Sequence, residues 1–344
     1  MKKYSKSTLD IHKIKMDFFS SNDKKLSEEL NKKDFYTKQE KRKYCKNCNL
    51  EIGEIDFTVQ GVGYSICSQC EHLNGIYEDS LEYTKVIYND DDGDFYSKNY
   101  LNNFDLRVKN IYKPKLDFIK ECLKKENCND ISIIDIGCGG GHFIKACEEQ
   151  NIDAIGYDVN KILIDLGNSM LKKNRIEKIE DIVSKTFDER VQEIVENTDK
   201  SVLTLVGCLE HLREPHGLIK SFLNSNCKYF FFSVPCFSLT VFIEHCFPDV
   251  WTRHLNSGHT HMYTKKSIEF LLNKYNLETV GEWWFGSEIY DLFRSMNIRM
   301  NKNGCSEKAK DFLSKYLFNN IDLLQKELDK KETCSAIQIL VKKK

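Results

Sequence analysis

Apolar residues recur along the chain with two periods, and the alternation lays out a succession of strands and helices. Ile131, Ile133, Ile134 and Ile136 make a short apolar strand that runs out at Gly137. Phe143, Ile144, Ala146 and Cys147 then fall at helical spacing, and residues 154–157 form a second strand stopping at Asp158. Upstream, Leu116, Phe118, Ile119 and Leu123 stripe one face of a helix, with lysines and glutamates outside. Downstream, a helix over 161–173 carries Ile162, Leu163, Leu166 and Met170, and a weakly marked third strand falls within 176–182. Residues 201–206 read as a buried strand. Pro215 opens a helix lined by Leu218, Ile219 and Phe222, and 229–234 is a strand closed by Pro235. After a long segment come a helix at 265–275, a strand at 277–285, helices near 287–297 and 306–328, and a last strand at 334–341. Strands alternating with helices predict an α/β fold with a doubly wound sheet.

The first strand-to-helix turn reads DIGCGGGH over residues 135–142. A dinucleotide fingerprint wants glycine at the sixth position from Gly137, where this chain has His142. The glycines instead fall as D-x-G-x-G-x-G, with Asp135, Gly137, Gly139 and Gly141 in register. Glycine there lets backbone approach a ligand with no Cβ in the way. Asp158 ends the second strand, where a carboxylate can accept both hydroxyls of a ribose. The pattern predicts a nucleoside site without a pyrophosphate turn. Glu180 or Asp181 would reach an adenine amino group, and Tyr96, Tyr100 and Arg107 precede the first strand where a cover could form.

A chain of 344 residues has room for one large domain and a smaller one. Its net charge of -1 offers no general field for nucleic acid or anionic membrane. No apolar run reaches the roughly 18 residues of a membrane span, and the first residues show no apolar core of signal-peptide type. Many of the 14 cysteines fall inside expected strands and helices, which favours a reducing cytoplasm.

Residues 1–44 are polar and lysine-rich, and are expected to hold a helix or two packed loosely on the rest. Cys45 and Cys48 then form one C-x2-C knuckle, and Cys67 and Cys70 a second, eighteen residues on. Two such knuckles can place four thiolates tetrahedrally around one ion, with short strands between them. Zinc is expected, in a structural role because no position is left open, with iron as the lesser alternative. The divisions expected are an extension over 1–44, a zinc-binding module over 45–94 and a larger domain over 95–344 with a helical insertion at 287–328. The acidic residues near 89–94 lack the spacing of a calcium loop.

The segment 236–263 is too long for a plain connection and follows a strand's carboxyl end, where open sheets place ligands. It holds His245, His254, His259 and His261, and Glu210-His211 follows the strand before it. A histidine titrates near neutrality and suits a general base. His261 and His259 are the first candidates and His211 the next, with Glu210 and His211 also readable as metal or substrate ligands. Trp251 is a candidate wall for an acceptor, whereas Trp283 and Trp284 suit a core.

The glycine run with Asp158 resembles the first motif of class I S-adenosylmethionine-dependent methyltransferases. The resemblance sharpens at LEHLREP, residues 209–215, which is similar to ubiquinone-biosynthesis and sugar-modifying members. Four cysteines ahead of this fold resemble the zinc-binding sugar C-methyltransferases and their relatives in polysaccharide and natural-product pathways. The resemblance implies a seven-stranded methyltransferase sheet whose last strand is antiparallel, beside a small N-terminal zinc ribbon. It implies S-adenosyl-L-methionine as cofactor, held by Asp135, Gly137, Gly139, Gly141, Asp158, Tyr96 and Glu210. It implies a small-molecule acceptor, a sugar or secondary metabolite, without fixing O-, N- or C-methylation. Where those sugar enzymes carry His-Glu-His, this chain reads His259-Thr260-His261. Two other readings fit the pattern: an RNA or protein methyltransferase that uses the ribbon for targeting, and a non-catalytic binding protein.

Overall fold

The structure is a computed structural model that describes residues 1–7, 21–89, 103–179 and 187–344. Its strands, in chain order, are β1 (Lys2–Tyr4), β2 (Phe57–Val59), β3 (Val62–Ile66), β4 (Leu73–Gly75), β5 (Ser132–Ile136) and β6 (Asp153–Asp158). They continue with β7 (Ile176–Lys178), β8 (Val202–Val206), β9 (Tyr229–Pro235), β10 (His261–Met262), β11 (Leu277–Phe285) and β12 (Ala336–Lys343).

Eight strands form one sheet in the order β1-β11-β12-β9-β8-β5-β6-β7. β5, β6, β7, β8 and β9 pair in parallel, and β12 runs antiparallel to both β9 and β11. Side chains alternate across this sheet with period two, so each strand feeds two cores. Ile134, Ile136, Leu203, Leu205, Phe230, Phe232, Ile337 and Ile339 pack on one face with Leu218, Phe222, Ile268 and Leu271. Ile133, Val202, Phe231, Leu340 and Trp283 pack on the other, against Leu116, Ile119, Leu123, Phe143 and Ala146. Trp283 and Trp284 therefore both lie in the core.

The sheet has one strand more than the seven expected. β1 adds to the edge in parallel with β11, pairing Lys2 with Glu282 and Tyr4 with Trp284. Three residues, Lys-Lys-Tyr, give no alternation to read; backbone pairing holds them, helped by the Lys2–Glu332 ion pair at 2.7 Å. The helix expected over 306–328 is two, Glu307–Tyr316 and Ile321–Lys330. Between them Phe318 folds back onto Phe293 at 5.0 Å. A further helix, Asn22–Tyr36, turns Asn22, Lys25, Glu29, Lys33 and Tyr36 inward. Its contacts are specific rather than loose.

β2, β3, β4 and β10 form a second, antiparallel sheet in the order β10-β4-β3-β2. β10 comes from beyond β9, so the segment 236–263 is tied into the cysteine-bearing sheet through His261↔Asn74 and Met262↔Leu73. Tyr36, Val59, Val62, Tyr64, Leu73, Tyr83, Val241, Leu255 and Met262 share one core beneath it.

Candidate active site

β5 is flanked by β6 on one side and β8 on the other, and its carboxyl end marks the switch point where open sheets bind ligands. A cavity there is lined by Tyr112, Asp135, Gly137, Cys138, Gly139, Gly140, His142, Val206 and Gly207. Gly137, Gly139 and Gly141 all take positive φ. Two of them have no room for a side chain. A Cβ on Gly137 would stand 2.5 Å from the Cys208 sulfur, and one on Gly141 would stand 2.4 Å from Ile176 Cδ1.

Asp158 braces the turn from below. Its carboxylate accepts from the Gly139 amide at 2.7 Å and the Asn160 amide at 2.9 Å. Burial raises its pKa against the pull of those amides. Asp135 is buried under the same turn, accepts from the Thr204 hydroxyl at 2.7 Å, and is pushed by burial up to about 7. Cys138 and Cys208 fill space as small apolar groups, against Gly156 and Gly137.

The loop after β8 carries Glu210 and His211 in a short 3-10 turn, Leu209–His211. Glu210 is buried, its Oε2 has no hydrogen-bond partner, and burial lifts its pKa to about 8. His211 and His259 stack at 4.9 Å between ring centroids, inclined by 23°. Burial lowers the pKa of both imidazoles. One ligand atom from each of Glu210, His211 and His259 lies within 4.8 Å of the others.

The loop that brings His259 here is held by buried charge. Glu244 accepts from the amides of Arg253 at 2.7 Å, His254 at 2.7 Å and Leu255 at 2.8 Å. Glu29 accepts from the Ser257 amide at 2.5 Å. Lys33 donates to Gln60 at 2.8 Å and to Thr252 at 3.0 Å. His254 meets the Cys236 carbonyl at 2.7 Å and His245 the Thr58 carbonyl at 3.0 Å. His261 lies in β10, fully buried, with Nδ1 at 2.8 Å from His72 Nε2. Trp251 packs between cations, Lys25 at 5.1 Å and Arg294 at 5.7 Å from its ring. Tyr96, Tyr100, Glu180 and Asp181 lie outside the described residues.

Several site residues have no signature in the sequence. His142 stacks between Phe104, at 4.3 Å, and Tyr112, at 5.2 Å, on the cavity wall. Lys115 reads as an outer residue of its helix, yet it is buried and donates to Ser233 at 3.2 Å on β9.

Cys45, Cys48, Cys67 and Cys70 gather their sulfurs within 4.8 Å of one another. The Cys45–Cys70 distance is 3.7 Å and the Cys48–Cys67 distance 3.4 Å. Sulfurs about 3.8 Å apart are what a tetrahedral ion with bonds near 2.3 Å requires. Asn74 Nδ2 lies 3.6 Å from the Cys45 sulfur as an outer donor. The cluster fits a metal held by protein ligands alone.

A doubly wound sheet with a glycine turn and a braced aspartate at its switch point defines an α/β protein with a cavity at the carboxyl end of β5. The family described as "Methyltransferase domain" matches residues 107–282, just over half of the chain. The chain belongs to that family. Among curated proteins it is similar to the ubiquinone biosynthesis O-methyltransferases of two Aliivibrio fischeri strains, ATCC 700601 / ES114 at 30% identity and MJ11 at 29%, each over 104 residues. Those alignments cover 28% of this chain, which spans 41% of the relatives' length. Among solved structures it is similar to a SAM dependent methyltransferase from Archaeoglobus fulgidus, at 18% identity and a TM-score of 0.39, covering 71% of this chain and all of that one. It is also similar to the plantazolicin methyltransferase BpumL bound to SAH, at 14% identity and a TM-score of 0.45, covering 76% of this chain and 94% of that one. Among the described residues no helix is long and apolar enough to cross a membrane.

Proposed function

We propose that this chain transfers a methyl group from S-adenosylmethionine to a small molecule, a sugar or secondary metabolite. The observation that carries the reading is the turn of Gly137, Gly139 and Gly141 at the switch point, braced by Asp158. Family membership and the O-methyltransferase relatives support it. When bound, S-adenosylmethionine supplies a methyl already activated on a sulfonium, so the protein aligns the acceptor and excludes water.

The chain's residues fit that ligand. The glycine turn leaves open backbone for it, and Asp158, which also holds backbone amides, is placed to accept from ribose hydroxyls. Asp135 supports the turn from inside, and Tyr112 and His142 supply a flat wall. Tyr96 belongs to the same site on the sequence pattern. Glu210, His211 and His259 form the polar group on the acceptor side, where burial keeps both imidazoles neutral and makes them weaker bases than a free histidine. His261 is the weaker candidate for a base, because its ring is enclosed with His72. The four cysteines hold zinc in a structural role.

Purified protein, methyl-labelled S-adenosylmethionine and a host-cell extract separated into small molecules, RNA and protein test the reading. Label enters the small-molecule fraction and is lost with Asp158→Ala. Label in RNA or protein overturns the choice of acceptor and makes the cysteine module a targeting device.

A further inference from the structure

We infer that Lys115, Ser233 and Gln338 form a carboxylate-binding subsite beside the cavity at the glycine turn, and that the methyl acceptor carries the carboxylate. The inference rests on the methyl-transfer reading for its use, and it narrows the acceptor to an acid.

The sheet sets these residues in one row. Val206 on β8 pairs with Ser233 on β9, Ser233 with Gln338 on β12, and Gln338 with Trp283 on β11. Residues directly opposite each other in paired strands turn their side chains to the same face. Val206 and Trp283, at the two ends of the row, both pack into the core that holds Leu116 and Ile119. Lys115 meets the row from the helix Lys113–Lys125, and its Nζ donates to Ser233 Oγ at 3.2 Å. Val206 also lines the cavity, and so does Tyr112, three residues before Lys115. The row therefore leads from the cavity wall to the buried amide of Gln338.

Its polar groups are out of balance. Gln338 is fully buried, and neither its Oε1 nor its Nε2 has a hydrogen-bond partner. Such an amide costs free energy unless a ligand or water meets it. Lys115 is buried too, and a neutral hydroxyl accepts one of its three N–H groups. Among the described residues it has no carboxylate in contact; Glu210 reaches it only through a longer-range field. Burial pushes Glu210 itself up to about 8, so near neutral pH that carboxyl is mostly protonated and does little to offset the lysine. Burial and the nearby Lys6 hold the Lys115 pKa well down, and an anion in contact would restore its charge. A carboxylate supplies what is missing: one oxygen accepts from the ammonium and the other from the Gln338 amide. Held there, the acid end of the acceptor fixes which of its atoms faces the cavity.

S-adenosylmethionine ends in a carboxylate of its own, so the test uses the full chain saturated with S-adenosylhomocysteine. Benzoate is the probe, benzamide its neutral counterpart, and ligand-observed NMR gives the affinity. The expected result is one benzoate per chain, with benzamide bound at least about 10-fold more weakly. Lys115→Met and Gln338→Leu each weaken benzoate by about 10-fold or more, the loss of a hydrogen bond to a charged group. Lys115→Gln, which keeps a donor and drops the charge, falls in the same way and serves if an apolar variant does not fold. Lys124→Ala, on the exposed side of the same helix, binds as the parent does. No saturable benzoate binding, equal binding of benzamide, or unchanged affinity in the variants overturns the inference. S-adenosylhomocysteine affinity is measured on the same samples. If Lys115→Met weakens it as much as it weakens benzoate, the carboxylate is the donor's and the assignment to the acceptor falls. A parent that binds S-adenosylhomocysteine but not benzoate sinks the subsite alone, and one that binds benzoate but not S-adenosylhomocysteine sinks the methyl-transfer reading alone.

Discussion

The carboxylate of Glu210 stands 3.6 Å from the point where a side chain on Gly207 would begin. Gly207 lines the cavity at the glycine turn, and Glu210 belongs to the cluster with His211 and His259. One short turn after β8 thus joins the glycine-lined cavity to that cluster. The cluster is completed from far along the chain, by a loop fixed at Glu29 and Glu244.

That loop gives the first prediction. Glu244 satisfies three backbone amides at once. Glu244→Ala leaves them buried and unpaired, and a lost partner of a buried amide costs about 1–3 kcal/mol. The variant should unfold several degrees earlier in a thermal melt and lose transfer more than donor affinity, because it frees His259 and leaves the glycine turn intact.

Gly141 takes φ +72°, and a Cβ built on it would stand 2.4 Å from Ile176 Cδ1. Alanine there meets both backbone strain and a clash. Gly141→Ala should lower stability by about 1–3 kcal/mol in urea denaturation, in the range of a strained backbone position. It should also weaken S-adenosylhomocysteine binding measured by calorimetry.

The cysteine cluster is shared between two knuckles whose sheet also includes β10. Removing its metal should therefore loosen the segment that carries His259 as well as the module. Metal analysis should find one zinc per chain in the parent and far less in Cys67→Ser. Hydrogen exchange should rise in β4 and β10 together. Exchange confined to residues 45–70 would show that the two are uncoupled.

Asp135 gives a dependence on pH. Burial raises its carboxyl from 3.8 to about 7, so the folded state holds a proton that the unfolded state has released. Its contribution is full below 3.8 and is lost as pH rises to about 7. In the absence of cofactor, Asp135→Asn should match the parent at pH near 4 and exceed it in stability at pH 8, by at most about 4 kcal/mol. Denaturation midpoints across that range decide it; a constant gap would mean that the carboxyl is not shifted.

Local chemistry was the legible part of this sequence. β5, its glycine turn and β6 could be read because strand, turn and helix each carry their own pattern within thirty residues. The four cysteines could be read because their spacing is itself the ligand geometry. β1 could not, since three residues have no period and only β11 gives them a place. The His72–His261 contact joins residues 189 apart, and Lys115 turns inward because Ser233 receives it. Such pairings come from tertiary packing, which periodicity does not encode. The same holds for His142, whose stack with Phe104 and Tyr112 depends on how two helices meet.

Calorimetric titration of S-adenosylhomocysteine into the parent protein and into Asp158→Ala tests the central claim most directly. Asp158 braces the turn through Gly139, and in the proposed function it also accepts from the ligand's ribose. The parent should bind one equivalent, and Asp158→Ala should bind at least about 30-fold more weakly, the loss of a charge-assisted contact worth about 2 kcal/mol. A folded parent that binds none, or a variant that binds equally well, would contradict the account.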